Sequence, residues 1–243
     1  MGNQAHPDIV QVAHMIQAIE GATRHLAAGV RMVSEPGWQA RTGQPAFLEM
    51  ATGVEKLGKL TCGMWKLEAS GDYLSDKESR GLDHNIATLA TSVHDEMRAR
   101  AEADGKAYVS QLARDLDADP YWPDVLATLA CAADATEGRY RHEGALGGKT
   151  LSGDAPADIW GTAEHKAVTA LRLWLEVGSV TEAPAALAKI RAELLRSVLR
   201  WWHLAYRGWQ HGLAGPKAHQ LSTEAGLEFD RLPDELSAFV KAL

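Results

Sequence analysis

Three features of this 243-residue chain predict an all-α fold, an antiparallel helical bundle with a C-terminal helical extension. Apolar residues recur at three- and four-residue steps through most of the sequence, the period of one face of an α-helix. No stretch of useful length alternates apolar and polar residues as a half-buried strand requires. Proline, glycine and small polar residues fall between the periodic stretches, where helices must stop.

The first helix is expected over residues 8–33, with Val12, Met15, Ile16, Ile19, Leu26 and Val30 on its apolar face. Pro7 precedes it, and Ser34-Glu35-Pro36-Gly37 ends it. Pro45 suits the first turn of a second helix running to about residue 69. Its Gly53, Gly58 and Gly63 lower helix propensity, which points to close approach of a neighbouring helix. Residues 71–81 read as a polar connection. Asp83 is placed to cap a third helix over 83–103, with Ile86, Leu89, Ala90, Val93 and Met97 inside. Residues 108–116 form a short helical piece. Asp119-Pro120 opens a further helix to about residue 135. Residues 138–155 are glycine-rich and irregular, a loop long enough to suggest function. Pro156 restarts the pattern through 177, with Ile159, Trp160, Ala163, Leu171 and Leu175 inside. A long helix over 184–212 follows, then a polar connection over 212–226 and a short amphipathic segment over 234–243.

The length allows a single helical domain with a full core. Hydrophobic content of 46% and charged content of 23% are ordinary globular values. A net charge of -7 excludes a general nucleic-acid coating protein but leaves room for a local basic patch. Cys62 and Cys131 read as free thiols in apolar helical context, which fits a reducing cytoplasm. No apolar run reaches the length of a membrane span, so no membrane partner is expected.

The 184–212 helix carries the strongest signal. Leu187, Ile190, Leu194, Val198, Trp202, Ala205 and Trp209 mark its apolar face. Arg196, Arg200, His203, Arg207 and His211 follow one another at gaps of four, three, four and four residues, a basic column on the opposite face. Stacked cations repel, so either carboxylates of the fold or an anionic partner should face them.

Other motifs are weaker. Glu143-Gly144-Ala145-Leu146-Gly147-Gly148-Lys149-Thr150 approaches a phosphate-binding loop, but Glu143 replaces its first glycine and no buried strand precedes it. His14, His25, His84, His94, His142 and His165 lie on several predicted elements without Glu-x-x-His spacing, so no metal and no cofactor is expected. Arg139-Tyr140-Arg141-His142 is a basic and aromatic cluster. Arg139 and Arg141 suit phosphate and Tyr140 a base, or the cluster ties down the loop through Glu137 and Glu143, the structural reading being slightly favoured.

Leu48-Glu49-Met50-Ala51-Thr52-Gly53-Val54-Glu55-Lys56-Leu57-Gly58-Lys59 resembles the Glu/Lys helix of the HEPN superfamily, particularly its abortive-infection-like branch. Leu82-Asp83-His84-Asn85-Ile86-Ala87-Thr88-Leu89 is similar to the histidine–acidic motif that opens the next helix there, with the two residues swapped. The resemblance covers residues 8–103. It implies a bundle that commonly dimerises, hence a homo-oligomer, and a structural polar cluster of Glu55, Lys59, Asp83 and His84. Many HEPN proteins are metal-independent ribonucleases with an arginine, four to six residues, then a histidine. Arg196 and His203 match that spacing, although Ser197 stands where a stronger polar residue is common.

The resemblance therefore implies a bacterial defence or toxin-type effector. It would be a ribonuclease with Arg196 and His203 catalytic, or an RNA-binding protein with Arg139, Arg141, Arg200, Arg207 and His211 on the anion. Histidine can take the proton of an attacking 2′-hydroxyl, and arginine can hold the phosphate. The two stand about 10 Å apart on one helix, so convergence would need two copies. The alternatives are a non-catalytic interaction module or dimeric scaffold, facing an acidic protein surface, and a purely structural helical protein. Exposure of Arg196 and His203 together would favour catalysis; enclosure of either by carboxylates in the core would oppose it.

Overall fold

The computed structural model describes residues 7–82, 85–134, 153–172, 183–227 and 232–243. The chain is an all-α bundle. Helix α1 (Pro7–Ser34) turns through a 3-10 segment at Ala40–Thr42 into α2 (Gln44–Ser70), and these two form the most extensive helical pair. The small residues of α2 explain that intimacy. A Cβ on Gly53 would lie 2.7 Å from the Leu26 main-chain nitrogen, so only glycine lets the two backbones approach this closely.

Helices α3 to α6 follow. Short α3 (Asp76–Gly81) lies within the stretch expected to be a plain connection. Its cause is a reciprocal cap: Ser75 Oγ accepts from Glu78 N at 3.3 Å, and Glu78 Oε2 accepts from Ser75 N at 2.9 Å. Lys66 and then Ser75 hold the Glu78 carboxyl down at about 2. Helix α4 (Ile86–Ala103) begins after Asn85, whose side chain accepts from Thr88 N at 3.0 Å. The expected cap, Asp83, lies outside the described residues, and the cap of α4 is Asn85 instead. Helix α5 (Ala107–Asp117) then leads to α6 (Trp122–Ala133). Helix α6 starts later than Asp119-Pro120, because Asp119 Oδ1 accepts from Tyr121 N and Trp122 N just before it.

Helix α7 (Pro156–Ala170) packs on α6, and α8 (Ala183–Gln210) runs through the centre of the molecule. Short α9 (Pro216–Gln220), a 3-10 turn at Ser222–Ala225 and α10 (Asp234–Ala242) occupy the C-terminal region. One continuous apolar cluster joins Ile19, Phe47, Val93, Leu129, Trp160, Trp201 and Val240. Two residues expected inside are not: Leu171 and Leu187 are exposed. Among the described residues no helix is long and apolar enough to cross a membrane.

Candidate nucleic-acid interface

Helix α8 is buried on more than one side. Trp201, Trp202 and Trp209 are all enclosed, with their indole N–H groups donating to Ala90 O, Ala225 O and Thr61 Oγ1. The binary pattern expected of a surface helix does not hold, because α4, α5, α6 and α10 all cover it. The basic column therefore splits into two parts with different surroundings.

Carboxylates neutralise the first part. Arg196 binds Glu193 on its own helix, and Glu235 of α10 at 2.8 Å. Arg200 Nη1 donates at 2.5 Å to Oδ2 of Asp119, whose side chain is fully buried. Asp119 Oδ1 also accepts from Ser197 Oγ at 3.0 Å. Ser197, the weak point of the arginine–histidine motif, thus serves this internal network. Both guanidinium groups lie 5.3 Å from the Phe239 ring centroid, which holds them further.

His203 is enclosed, only 4% exposed, rather than standing on an outer face. Its Nε2 lies 3.0 Å from Tyr108 Oη and 3.3 Å from Arg207 Nε, and its Nδ1 is buried without a hydrogen-bond partner. Arg207 Nε donates to Nε2, so the neutral ring carries its proton at Nδ1, and a second proton at Nε2 would face the Arg207 N–H. Burial first, and then Arg207, push its pKa down to about 4. The ring is neutral near pH 7, but no phosphate can reach it without opening the core. Arg196 and His203 are thus engaged with separate partners and do not form one open site.

The far part of the column has no such compensation. Arg207 places its guanidinium 5.2 Å from the Tyr108 ring centroid, and Nη1 donates to Gln210 Oε1 at 2.7 Å. His211 lies beyond it, its ring 6.1 Å from that of Tyr108. Gly212 ends the helix with φ 79, a left-handed turn that glycine adopts without steric cost. This turn brings His211 together with Lys106 and His219 around a cavity of about 370 Å³. His219 Nδ1 lies 2.8 Å from Gln210 O. Among the described residues no carboxylate makes an ion pair with Lys106, Arg207, His211 or His219. Burial first, then Arg207, Lys106 and His219, lower the pKa of His211.

The C-terminal carbonyls of α8 offset part of this charge, since a helix end carries about half a negative charge. Lys106 gains nothing of the kind. It is the N-cap of α5, where the helix dipole is positive. Lys106 and His219 are the residues that sequence reasoning missed. Lys106 comes from the start of α5 and His219 from short α9, and only the fold brings them beside His211.

Glu55 and Lys59 of the Glu/Lys helix pair at 2.8 Å, the expected i,i+4 contact. Asp83, His84, Arg139 and Arg141 lie outside the described residues, as does the segment 143–150. On the same helix, Glu49 Oε2 lies 2.7 Å from His25 Nδ1, and Lys56 Nζ lies 3.0 Å from His25 Nε2. Among the described residues no group of three or more His, Cys, Asp or Glu is arranged to hold a metal ion.

Compared with known proteins, the chain matches no family model, no curated protein and no solved structure.

Proposed function

We propose that the protein is an RNA-binding effector of HEPN-like type that holds phosphate at the C-terminal end of α8. In this reading Arg196 and His203 are structural and do not form a catalytic pair. One observation carries it: Lys106, His211 and His219 line one cavity, Arg207 acts on His211 from one helical turn back, and among the described residues no carboxylate is paired to any of the four. Lys106 and Arg207 are cations without a paired carboxylate among the described residues, and in a chain of net charge -7 they form a local anion site rather than a general coating, with His211 held toward its neutral form beside them. Tyr108 adds a half-open aromatic ring beside them, and single-stranded bases stack on such rings. The Glu/Lys-helix resemblance motivates RNA as the polyanion.

The test is fluorescence anisotropy of a labelled single-stranded RNA at low salt. Lys106→Glu and His219→Glu should each weaken binding by about tenfold, because each reverses or adds charge at a phosphate contact. Arg196→Ala should leave the affinity unchanged. A parent protein that ignores RNA at low salt would overturn the reading. A second reading, a helical interaction module, draws on a groove of about 450 Å³ between α1 and α2, lined by Met15, Leu60, Met64, Tyr73 and Leu74. Binding of polyglutamate but not RNA would favour an acidic protein partner.

A further inference from the structure

At the opposite end of α8, Arg191 is buried without adequate compensation. Its side chain is 12% exposed. The guanidinium lies 5.1 Å from the Trp38 ring centroid, and Nη2 donates at 2.5 Å to Trp38 O. Its Nε is buried and has no hydrogen-bond partner. The Glu164 carboxylate stands 3.9 Å from Nε, beyond hydrogen-bond range. The same Glu164 oxygen already accepts from Trp160 Nε1 at 3.0 Å. Burial accordingly lowers the proton affinity of Arg191, with Glu164 opposing only in part. Arg196 and Arg200, by contrast, each reach a carboxylate directly.

Two cavities meet at this arginine, and both include Gln39 and Leu187. One, of about 510 Å³, is mainly apolar, with Pro36, Trp38, Pro184 and Leu236 on its walls. The other, of about 620 Å³, is more polar and holds Thr162, His165, Asp158 and Glu164. Leu187 is 40% exposed at the junction, an apolar side chain on α8 that the core does not cover. Volumes of this size are typical of small-molecule sites, which pair apolar walls with a few fixed polar groups.

We propose that Arg191 and the Trp38–Leu187 groove form a binding site for a small monocarboxylate with an apolar body. The carboxylate meets the cavity-facing edge of the guanidinium, whose planar fork suits a two-oxygen anion. The apolar body lies along Trp38, Leu187 and Leu236. On the polar side Asp158 and Glu164 outnumber Arg41, so a dianionic phosphate would face an excess of negative charge there.

Isothermal titration of the full chain with 4-phenylbutanoate, 4-phenylbutanol and inorganic phosphate tests the proposal. The carboxylate should bind saturably and at least about tenfold more tightly than the alcohol, since a charge-assisted contact to a desolvated arginine is lost in the alcohol. Phosphate should not compete. Leu187→Glu, at an exposed position that leaves the core intact, should weaken the carboxylate by about tenfold or more by placing a like charge in the groove. Arg191→Gln should abolish the preference for acid over alcohol. If Arg191→Gln fails to fold, the acid–alcohol contrast in the parent and the Leu187→Glu result decide the question. Equal binding of acid and alcohol, no saturable binding of the acid, or a Leu187→Glu variant that binds the acid like the parent would each overturn the site.

Discussion

The two parts of the basic column on α8 share a sequence pattern and differ in everything around it. At Arg196 and Arg200 the facing elements supply Glu193, Glu235 and Asp119, so the cations are answered within the chain. At Arg207 and His211 the facing elements bring Lys106 and His219 instead. The first arrangement holds helices together; the second leaves charge for a partner. A repeating cation on one helix face therefore says little about its role until the opposing loops are known.

The comparison breaks most readily at Asp119. Its carboxylate has no solvent exposure and serves Arg200, Ser197 and two main-chain N–H groups. Asp119→Ala should cost about 3–5 kcal/mol in urea denaturation, the scale for leaving one member of a buried pair uncompensated. A loss under about 1 kcal/mol would mean that Arg200 finds water easily and that this half of the column is not sealed.

The next effect is a pH dependence centred on His203. Its folded pKa of about 4 lies below the ordinary histidine value of 6.5. Between those two values the unfolded chain takes up a proton that the folded chain refuses. Stability is therefore fully present above pH 6.5 and falls as the pH drops toward 4, by about 3 kcal/mol over that interval. His211, shifted in the same direction, adds to the trend. Denaturation of the parent and His203→Phe at pH 7 and pH 4.5 separates this from carboxylate titration: the variant should lose much of the acid slope. Parallel slopes would show that His203 is already open to protons.

Smaller effects sharpen the contrast. Arg196 is partly exposed and Glu235 more so, so Arg196→Ala should cost under about 1 kcal/mol. That cost should shrink in high salt, which screens exposed pairs. Lys106→Ala should change stability by no more than about 0.5 kcal/mol, or raise it slightly, because it removes a cation from the positive end of α5. A large loss at Lys106 would mean an internal role and would erase the difference between the two halves.

The helical class and most helix positions are legible in the sequence because three- and four-residue periodicity survives wherever one side packs on a core. The same signal misleads on α8. Trp201 and Trp202 are adjacent and both buried, which a one-faced pattern cannot express. His203 then looks exposed by spacing and is enclosed, with Tyr108 of α5 against its Nε2. Helix α3 was readable after all, through the Ser75–Glu78 capping box. The candidate site was half legible: Arg207 and His211 lie on and just past one helix, whereas Lys106 arrives from a part of the chain distant in sequence and His219 from α9, after a turn whose course the spacing does not reveal. Arg191 carried no sequence signal, because only the placement of Trp38 and Glu164 makes it under-compensated.

The most direct test is the salt dependence of RNA affinity for the parent, Lys106→Ala and Arg196→Ala. Each phosphate contact to a single strand contributes about 0.7 to the slope of log affinity against log salt. Lys106→Ala should lower that slope by about one such contact, and Arg196→Ala should leave it unchanged. A slope that falls with Arg196→Ala and not with Lys106→Ala would contradict the account, as would the absence of RNA binding at low salt.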